Sequence, residues 1–322
     1  MINIASSKEN ERGNKMSDII LETNHLTKKY HQNLALNDVS IKLEKNHIYG
    51  FIGENGAGKS TFMKIIAGLT FPTSGEMTLM GERSAAGLSR KRKSMGTMIE
   101  GPYLYGNYTL WQNVEIQRML VGNPDKSATD RVIEMVELTE QAKKKAKKLS
   151  MGMKQRLGIA MALVGNPRFL LLDEPINGLD PINIITLRNM LKKINEEQEC
   201  TIFVSSHILS ELYLLATDFI FIHKGSIVET ATHEELEEKC SQYIQVKDNN
   251  IPETVTILEK YFPDMTYKVV ADDTVKIYGK ADIKAELSSH LMEAGIVISE
   301  LSNKELSLEE YFVSIMGGEA NA

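Results

Sequence analysis

The sequence predicts an α/β fold with a mainly parallel sheet, and three observations carry that prediction. Short apolar runs alternate with amphipathic helical runs between residue 17 and about residue 236. Several of these runs are apolar at consecutive positions, as expected of strands that helices cover on both faces. A glycine-rich stretch stands directly between one such run and a helical run. The predicted strands include residues 19–22, 48–52, 169–173, 201–205 and 218–222, and the predicted helices include residues 60–69, 129–138, 154–164 and 181–196.

The composition is that of a globular protein with one large domain or two ordinary ones. Of 322 residues, 42% are hydrophobic and 25% are charged, and the formal net charge is -6. A mildly acidic chain argues against a general nucleic-acid binder, which usually carries a basic face. We therefore expect no nucleic-acid partner.

The chain has no apolar run near the ~20 residues that a transmembrane helix needs. Its first residues are polar and lack the hydrophobic region of a signal peptide. We therefore expect residues 1–16 to form a disordered extension, with Met16 as an alternative start. Cys200 and Cys240 lie far apart and outside metal-ligand spacing, which predicts two reduced thiols in a cytosolic protein.

A second, smaller domain is predicted from a change of pattern near residue 241. Residues 241–322 are expected to form an accessory α/β domain without a chemical motif, appended to the main domain at residues 17–236. Its predicted strands are residues 243–246, 267–271 and 274–278, and its predicted helices are residues 252–261 and 284–294.

The strongest chemical signal is the stretch GENGAGKST, which fits the phosphate-binding pattern G-x-x-x-x-G-K-[ST] and follows the strand ending at Ile52. Glycines let the backbone fold so that successive N–H groups point at phosphate oxygens, and the following helix adds its positive N-terminal end. Lys59 can reach the β- and γ-phosphates, and the Ser60 hydroxyl can ligate Mg²⁺. The predicted nucleotide-binding residues are Gly53, Glu54, Asn55, Gly56, Ala57, Gly58, Lys59, Ser60 and Thr61.

A pair of carboxylates ends a second buried strand. Residues 169–172 are apolar, and Asp173 and Glu174 come directly after them. Sheets of this class bind ligands at the carboxyl ends of their strands, so we expect the pair beside the phosphate loop. Asp173 is suited to hold Mg²⁺, and Glu174 is suited to polarise the attacking water.

A third stretch, LSMGMKQR at residues 149–156, opens the helix that precedes the acidic strand. In isolation, Ser150 and Gly152 could mark no more than a helix N-cap. In this order and spacing, behind the phosphate loop and before the acidic pair, the stretch resembles the signature sequence of ATP-binding-cassette ATPases. The resemblance covers residues 17–236.

That resemblance implies a P-loop NTPase of the cassette type, with a RecA-like core, an antiparallel β subdomain and a helical insert at about residues 101–163. It implies that Tyr30 stacks on adenine and that His207 contacts the γ-phosphate. It also implies that the loop of Asp180 communicates across a dimer of cassettes.

In this family two cassettes close head to tail on ATP and Mg²⁺, and one copy offers Ser150 and Gly152 to the nucleotide of the other. The implied partners are a second copy of the chain, or a homologous cassette, and one or more integral membrane permease subunits. The implied location is therefore cytoplasmic, at the inner face of the cell membrane.

Glu100, in the stretch TMIEGPYLY, takes the position where the family usually has a glutamine that reaches Mg²⁺ and the attacking water. A glutamate there resembles the subgroup that gives self-protection against lantibiotics and bacitracin-like peptides. The stretch LSMGMKQRLGIA and the C-terminal SLEEYFVSIMGG fit that subgroup. We therefore expect Glu100 near the nucleotide and its metal ion, and an antimicrobial peptide as the transported substrate.

Two other features leave alternatives open. The run KKKAKK at residues 143–148 is either a solvated segment or a contact with a membrane surface or partner, since the signature helix follows it. Tyr103, Leu104, Tyr105 and Trp111 either pack inside the helical insert or contact a permease.

Two other functional classes compete with a transporter ATPase. Cassettes that act on ribosomes normally come as two in one chain, and those that act on chromosomes insert long coiled coils, whereas this chain has one phosphate loop and about 90 residues between loop and signature. A non-catalytic cassette spoiled by Glu100 is the other alternative. The intact Lys59, Asp173 and Glu174 argue against it.

Overall fold

The computed structural model describes residues 18–240, 242–278, 283–305 and 307–315 of the chain. The predicted disordered extension at residues 1–16 lies outside these ranges. The chain divides into two compact units, Met1–His233 and Glu234–Ala322. Every predicted site residue belongs to the first unit.

The strands of the first unit form one three-stranded and one six-stranded sheet within residues 18–233. In chain order they are β1 (Ile19–Tyr30), β2 (Asn33–Glu44), β3 (Ile48–Ile52), β4 (Ser74–Leu79), β5 (Met95–Met98), β6 (Phe169–Asp173), β7 (Thr201–Ser206), β8 (Asp218–His223) and β9 (Ser226–Thr232).

The six-stranded sheet has the order β5-β6-β7-β3-β8-β9. Its neighbours pair in parallel except β9, which runs antiparallel to β8. Every residue of β3, β6 and β7 is buried, which explains why these strands are apolar at consecutive positions. The predicted α/β fold with a mainly parallel sheet is therefore confirmed.

The three-stranded sheet is antiparallel, with β1 between β2 and β4. Leu21 of β1 lies opposite Leu43 of β2 and Leu79 of β4, and all three side chains are fully buried. This sheet is the predicted antiparallel β subdomain. Its strand β1 ends at Tyr30, beside the phosphate loop.

The helices of the first unit lie where the periodic pattern predicts them, with small differences at their ends. The predicted helix at residues 60–69 ends at Ala67, because Gly68 takes a left-handed conformation and its N–H bonds back to the carbonyls of Lys64 and Ile65. The helices are α1 (Lys59–Ala67), α2 (Ala85–Arg92), α3 (Leu110–Leu120), α4 (Ala128–Met135), α5 (Met151–Leu163), α6 (Pro181–Gln198) and α7 (Leu209–Tyr213), and α8 (His233–Lys239) crosses the boundary between the units.

A cluster of three phenylalanines fixes α1 against the parallel sheet. Phe51 of β3 lies 5.4 Å from Phe62 of α1 and 5.1 Å from Phe203 of β7, measured between ring centroids. All three side chains are fully buried. Aromatic pairs at this separation add to the free energy of burial, so they hold the first turn of α1 in a constant position relative to the ends of β3 and β7.

Helices α3, α4 and α5 form the helical insert, and a polar network joins the first two. Arg118 of α3 bonds Glu115 at 2.6 Å, and the Thr129 hydroxyl of α4 donates to the other oxygen of that carboxylate at 2.7 Å. These two bonds lower the pKa of Glu115 to about 2, and the bond from Arg118 has the larger effect on that pKa. The insert is therefore held by a charged network as well as by apolar packing.

The second unit has its own sheet and core. Its elements are β10 (Gln242–Asp248), α9 (Ile251–Tyr261), β11 (Thr266–Ala271), β12 (Thr274–Tyr278), α10 (Lys284–Glu293), β13 (Ile298–Glu305) and α11 (Leu308–Ile315). Within its described residues the sheet is antiparallel with the order β11-β12-β10-β13. Val246, Leu258, Val275 and Leu287 are among the buried side chains of its core.

No helix in the described ranges combines the length and the apolar character that crossing a bilayer requires.

The two cysteine thiols differ in environment, which gives a test of the first unit's core. Cys200 is fully buried, and this burial raises the pKa of its thiol to about 12, whereas Cys240 is only half-buried. Because the thiolate is the reactive form, iodoacetamide should alkylate Cys240 in the folded chain and Cys200 only after unfolding. Peptide mass spectrometry with and without guanidinium measures this. Equal rates at the two cysteines in native protein would contradict the buried position of Cys200.

Candidate functional site: a nucleotide cleft at the ends of the parallel strands

The phosphate loop connects the buried strand β3 to helix α1. Gly56 and Gly58 have φ angles of +85° and +111°, which a residue with a side chain rarely adopts. A Cβ atom at Gly58 would also lie 2.6 Å from the carbonyl oxygen of Ala35. No side chain caps the start of α1, so its first N–H groups remain open to an anion. The loop therefore needs its glycines and presents amide donors, as the motif predicts.

A cleft of about 310 Å³ lies over this loop. Tyr30 stands at its edge with one face under the Lys28 ammonium, 4.6 Å from the ring centroid, in a cation–π contact. The cleft thus combines an aromatic ring, a phosphate loop and one carboxylate. Its lining residues are Tyr30, Asn33, Leu34, Ala35, Asn55, Gly56, Gly58, Lys59, Ser60, Thr61 and Glu174.

Lys59, Glu174 and His207 form a connected row of charged and polar groups. The Lys59 ammonium lies 3.2 Å from Glu174 Oε1 and donates to the carbonyls of Gly53 and Glu54. The other carboxylate oxygen of Glu174 lies 2.9 Å from His207 Nδ1. Lys59 is 6% exposed, so its charge is held inside the protein by these partners. The structure therefore brings together the three residues that the sequence assigns to catalysis.

Ser205 joins the side chain of Asp173 to the backbone of Glu174. Its hydroxyl donates to Asp173 Oδ1 at 2.7 Å, and it accepts the backbone N–H of Glu174 at 3.0 Å. Glu174 has a φ of +49°, which turns the chain sharply at the end of β6. The buried serine thereby orients the carboxylate of Asp173 and holds the backbone at Glu174, whose own carboxylate meets Lys59 and His207.

Asp173 and Ser60 fit Mg²⁺ by their donor chemistry. Mg²⁺ takes oxygen ligands and is usually held by one or two side chains together with phosphate oxygens and water. Asp173 is 4% exposed, and Ser60 lies in the first turn of α1 beside the cleft. The described residues contain no group of three His, Cys, Asp or Glu side chains that could hold a metal. This donor set therefore suits an ion that arrives with a nucleotide.

Glu100 pairs with a residue that the sequence did not single out. Its Oε1 lies 2.5 Å from the Lys64 ammonium, which α1 presents from a turn beyond Lys59. The hydrogen bond with Glu100 is the main cause of the raised pKa of Lys64, and the charge of Asp173 also raises it. Glu100 has a φ of +59° and is followed by Gly101 at +99°, so the chain turns away directly after the carboxylate.

The signature residues lie elsewhere in the first unit. Ser150 caps α5, where its Oγ accepts the N–H of Met153, and Gly152 packs so closely that a Cβ atom would lie 2.6 Å from the Asn183 side chain. Asp180 caps α6 and holds Asn183 through its backbone N–H at 2.9 Å and its side-chain amide at 2.6 Å. Neither Ser150 nor Gly152 is among the described residues that line the cleft.

Sequence reasoning missed three residues that support the site: Lys64, Ser205 and Asn183. Ser205 carried a signal, since the stretch VSSH places two serines inside a strand that otherwise reads as buried. A basic residue on an amphipathic helix such as Lys64 is ordinary, and only the fold shows that it meets Glu100. Asn183 stands three residues after an N-cap aspartate and carries no pattern of its own.

Comparison with known proteins gives consistent results. Residues 36–177 match the protein family described as ABC transporter. The bacitracin transport ATP-binding protein BcrA of Bacillus licheniformis is 36% identical over 299 residues, which are 93% of this chain and 98% of that protein. The lantibiotic transport ATP-binding protein SrtF of Streptococcus pyogenes is 41% identical over 229 residues, which are 70% of this chain and 97% of that protein.

Among solved structures, the dimeric post-hydrolysis state of the ATP-binding cassette MJ0796 bound to ADP and Pi is similar with a TM-score of 0.61 at 26% identity. The match covers 66% of this chain and 99% of the MJ0796 chain. The two transport relatives differ in coverage. The alignment of 299 residues is longer than the first unit, Met1–His233, and so extends into the second, whereas 229 residues fit within the first.

The predicted family is thus confirmed by a matched family region, by relatives aligned over nearly their whole length and by a shared fold. The chain belongs to the ABC transporter family, as an ATP-binding subunit with ATPase activity.

Proposed function

We propose that this chain is the motor subunit of a transporter that removes peptide antibiotics, bacitracin-like peptides foremost, and so protects the cell that makes it. The observation that carries this proposal is the extent of the likeness to the bacitracin transport protein, which reaches into the second unit. Glu100 at the usual glutamine position supports the same subgroup. The likeness to the lantibiotic transport protein supports a peptide substrate more generally.

The first step is the binding of ATP in the cleft of Tyr30 and the phosphate loop. In the structure Lys59 contacts Glu174 and two loop carbonyls. The β- and γ-phosphates together carry more negative charge than the single carboxylate of Glu174, so they would draw the Lys59 ammonium away from it. Tyr30 would provide the stacking surface for adenine.

The second step is attack by water on the γ-phosphate. Once Lys59 is engaged by phosphates, Glu174 would orient a water molecule and accept its proton as ADP leaves. His207, which contacts Glu174 at 2.9 Å, would bond the γ-phosphate. Asp173 and Ser60 would hold Mg²⁺, which supplies charge neutralisation when it is bound. Phosphoryl transfer depends mainly on such positioning and neutralisation.

The active form would be a head-to-tail dimer with a second copy or a homologous cassette. Ser150 and Gly152 lie away from the cleft of their own chain, which suits contact with the nucleotide of a partner. The N-terminal end of α5 would add its dipole to that contact. One or more integral membrane permease subunits would convert the closure into transport, and this would hold the chain at the cytoplasmic face of the cell membrane.

Glu174→Gln tests the role of the catalytic carboxylate. The amide keeps the size of the side chain but cannot accept a proton, so the hydrolysis rate should fall about 10²- to 10⁴-fold and the closed dimer should accumulate. ATP should bind at least as tightly as to the wild type, because the neutral amide competes less for Lys59. Steady-state ATPase assays, nucleotide titration and gel filtration with ATP measure these effects. Glu196→Gln, which changes an exposed carboxylate on α6, is the matched control. Normal turnover by Glu174→Gln would refute the assignment.

The Lys64–Glu100 pair can be tested with Lys64→Gln, Glu100→Gln and the double variant. Lys64→Gln leaves a carboxylate uncompensated near Asp173, so the KM for ATP should rise about fivefold, the upper range for a partly exposed ion pair. The double variant also lacks the Glu100 charge, so its KM for ATP should return most of the way to the wild-type value. ATPase assays over a range of Mg²⁺ concentrations measure this KM. If the two effects simply add, the residues act independently and the pair has no role in turnover.

The proposed substrate class is tested in the cell. A strain that lacks this chain should become more sensitive to bacitracin or to lantibiotics, and the wild-type chain should restore resistance while Glu174→Gln should not. Sensitivity to an antibiotic with a cytosolic target serves as the control and should not change. An unchanged inhibitory concentration for all peptide antibiotics would reject the substrate class, while the ATPase assays above would still stand.

A further inference from the structure

The run at residues 143–148, here called the basic segment, is exposed on the helical insert. It contains five lysines, and all of them are exposed while Ala146 between them is buried. Lys147 donates to the side-chain oxygen of Asn107 at 3.0 Å. In the described part of the chain, none of the five forms an ion pair with a carboxylate. The basic segment therefore presents charge that intramolecular partners do not neutralise.

Residues 103–111, here called the aromatic segment, lie alongside the basic segment. Backbone bonds join the two: Leu110 N–H donates to the Lys144 carbonyl at 2.9 Å, and the N–H groups of Ala146 and Lys147 donate to the carbonyls of Tyr108 and Gly106. A bridge between Thr109 and Lys145 completes the pairing. Backbone bonds join the two segments, and the Lys147 side chain of one bonds the Asn107 side chain of the other, so exposed groups of both segments lie next to each other.

The aromatic segment exposes four large rings. Tyr103 is 76% exposed, and Tyr105, Tyr108 and Trp111 are also exposed. Tyr105 and Tyr108 meet edge to face with centroids 5.9 Å apart, and Trp111 donates its ring N–H to Asp130. Tyr103, Tyr105 and Trp111 are therefore not packed inside the helical insert, which was one of the two alternatives that the sequence left open.

The basic segment and the aromatic segment together are here called the lysine–tyrosine surface. Its local charge is positive, opposite to that of the whole chain. The chain has a formal net charge of -6, yet the basic segment carries five cations within six residues. The acids beside it are Glu140, which is exposed in the preceding turn, and Asp130, which bonds Trp111. The surface therefore keeps an excess of positive charge next to exposed rings.

We propose that the lysine–tyrosine surface binds the headgroups of anionic phospholipids. Clusters of four to eight basic residues beside a membrane attract anionic lipid with about 1 kcal/mol for each residue, and tyrosine and tryptophan favour the headgroup layer. Lysine is a flexible point charge that suits a mobile layer of headgroups. A protein interface would favour arginine, since lysine is depleted at such interfaces.

The position of the surface gives this contact a consequence for the motor. The aromatic segment begins three residues after Glu100, and the basic segment ends two residues before Ser150. Lipid binding would thus hold the insert by the two connections that lead to the nucleotide site and to the signature. This inference goes beyond the proposed substrate and does not depend on it.

Vesicle flotation with the full chain tests the proposal. Vesicles of phosphatidylcholine with about 30% phosphatidylglycerol should bind the chain at low salt, and pure phosphatidylcholine vesicles should not, because the attraction is electrostatic and screened by salt. Lys143→Gln/Lys144→Gln should weaken binding about 30-fold, which corresponds to about fivefold for each lysine. Only side chains change, so the backbone bonds of the two segments remain.

Lys192→Gln/Lys193→Gln is the matched control, because it removes two exposed lysines from α6 and should change binding far less. Equal losses in the two variants would show general charge attraction and overturn the assigned surface. Absence of binding to the anionic vesicles would also overturn it. If Lys143→Gln/Lys144→Gln instead loses co-purification with a membrane subunit while vesicle binding is unchanged, the surface docks on protein and the lipid proposal is wrong.

Discussion

The parallel register of β6, β7 and β3 is the constraint on which the site depends. Asp173 lies opposite Ser205, and Ile52 lies opposite Ser206, so three strands end in one row. The residues that follow directly are the phosphate loop, Glu174 and His207, and they meet because the strands end together. Every residue of these strands is buried, so a slip by one residue would exchange the side chains packed on the two faces and break specific contacts such as that between Phe51 and Phe203.

Much of the fold and of the site could be predicted from the sequence because the informative residues are local in sequence. The phosphate loop needs its glycines within one short turn, and the acidic pair directly follows a fully apolar strand. Lys64 and Glu100 are separated by 36 residues, and their pairing arises only when α1 and the end of β5 are placed by the core. Helix ends also escaped prediction, since Gly68 ends α1 by its backbone conformation, which the apolar pattern does not encode.

The second unit supports the likeness to bacitracin transport proteins through sequence similarity and not through catalytic residues. Its antiparallel sheet and buried core carry no catalytic pattern, and its residues entered the functional argument through likeness alone. The alignment of 229 residues covers 97% of the lantibiotic transport protein SrtF, which leaves no room in that protein for a unit of this size. A member of this family can therefore lack such a unit. The unit is therefore an addition to the cassette, and the alignment with the bacitracin transport protein extends into it.

The contact between Lys59 and Glu174 also bears on the rate at which the motor is reset. In the proposed mechanism Lys59 leaves Glu174, which it contacts at 3.2 Å in this structure, to bind the nucleotide phosphates, so the carboxylate would compete with the nucleotide for the lysine. Such competition would lower the apparent affinity for ATP by the free energy of the contact that is broken. The same contact would form again as inorganic phosphate leaves, and it would therefore disfavour product rebinding. The proposed motor would therefore bind ATP less tightly but release its products faster, which suits a cell in which ATP is abundant.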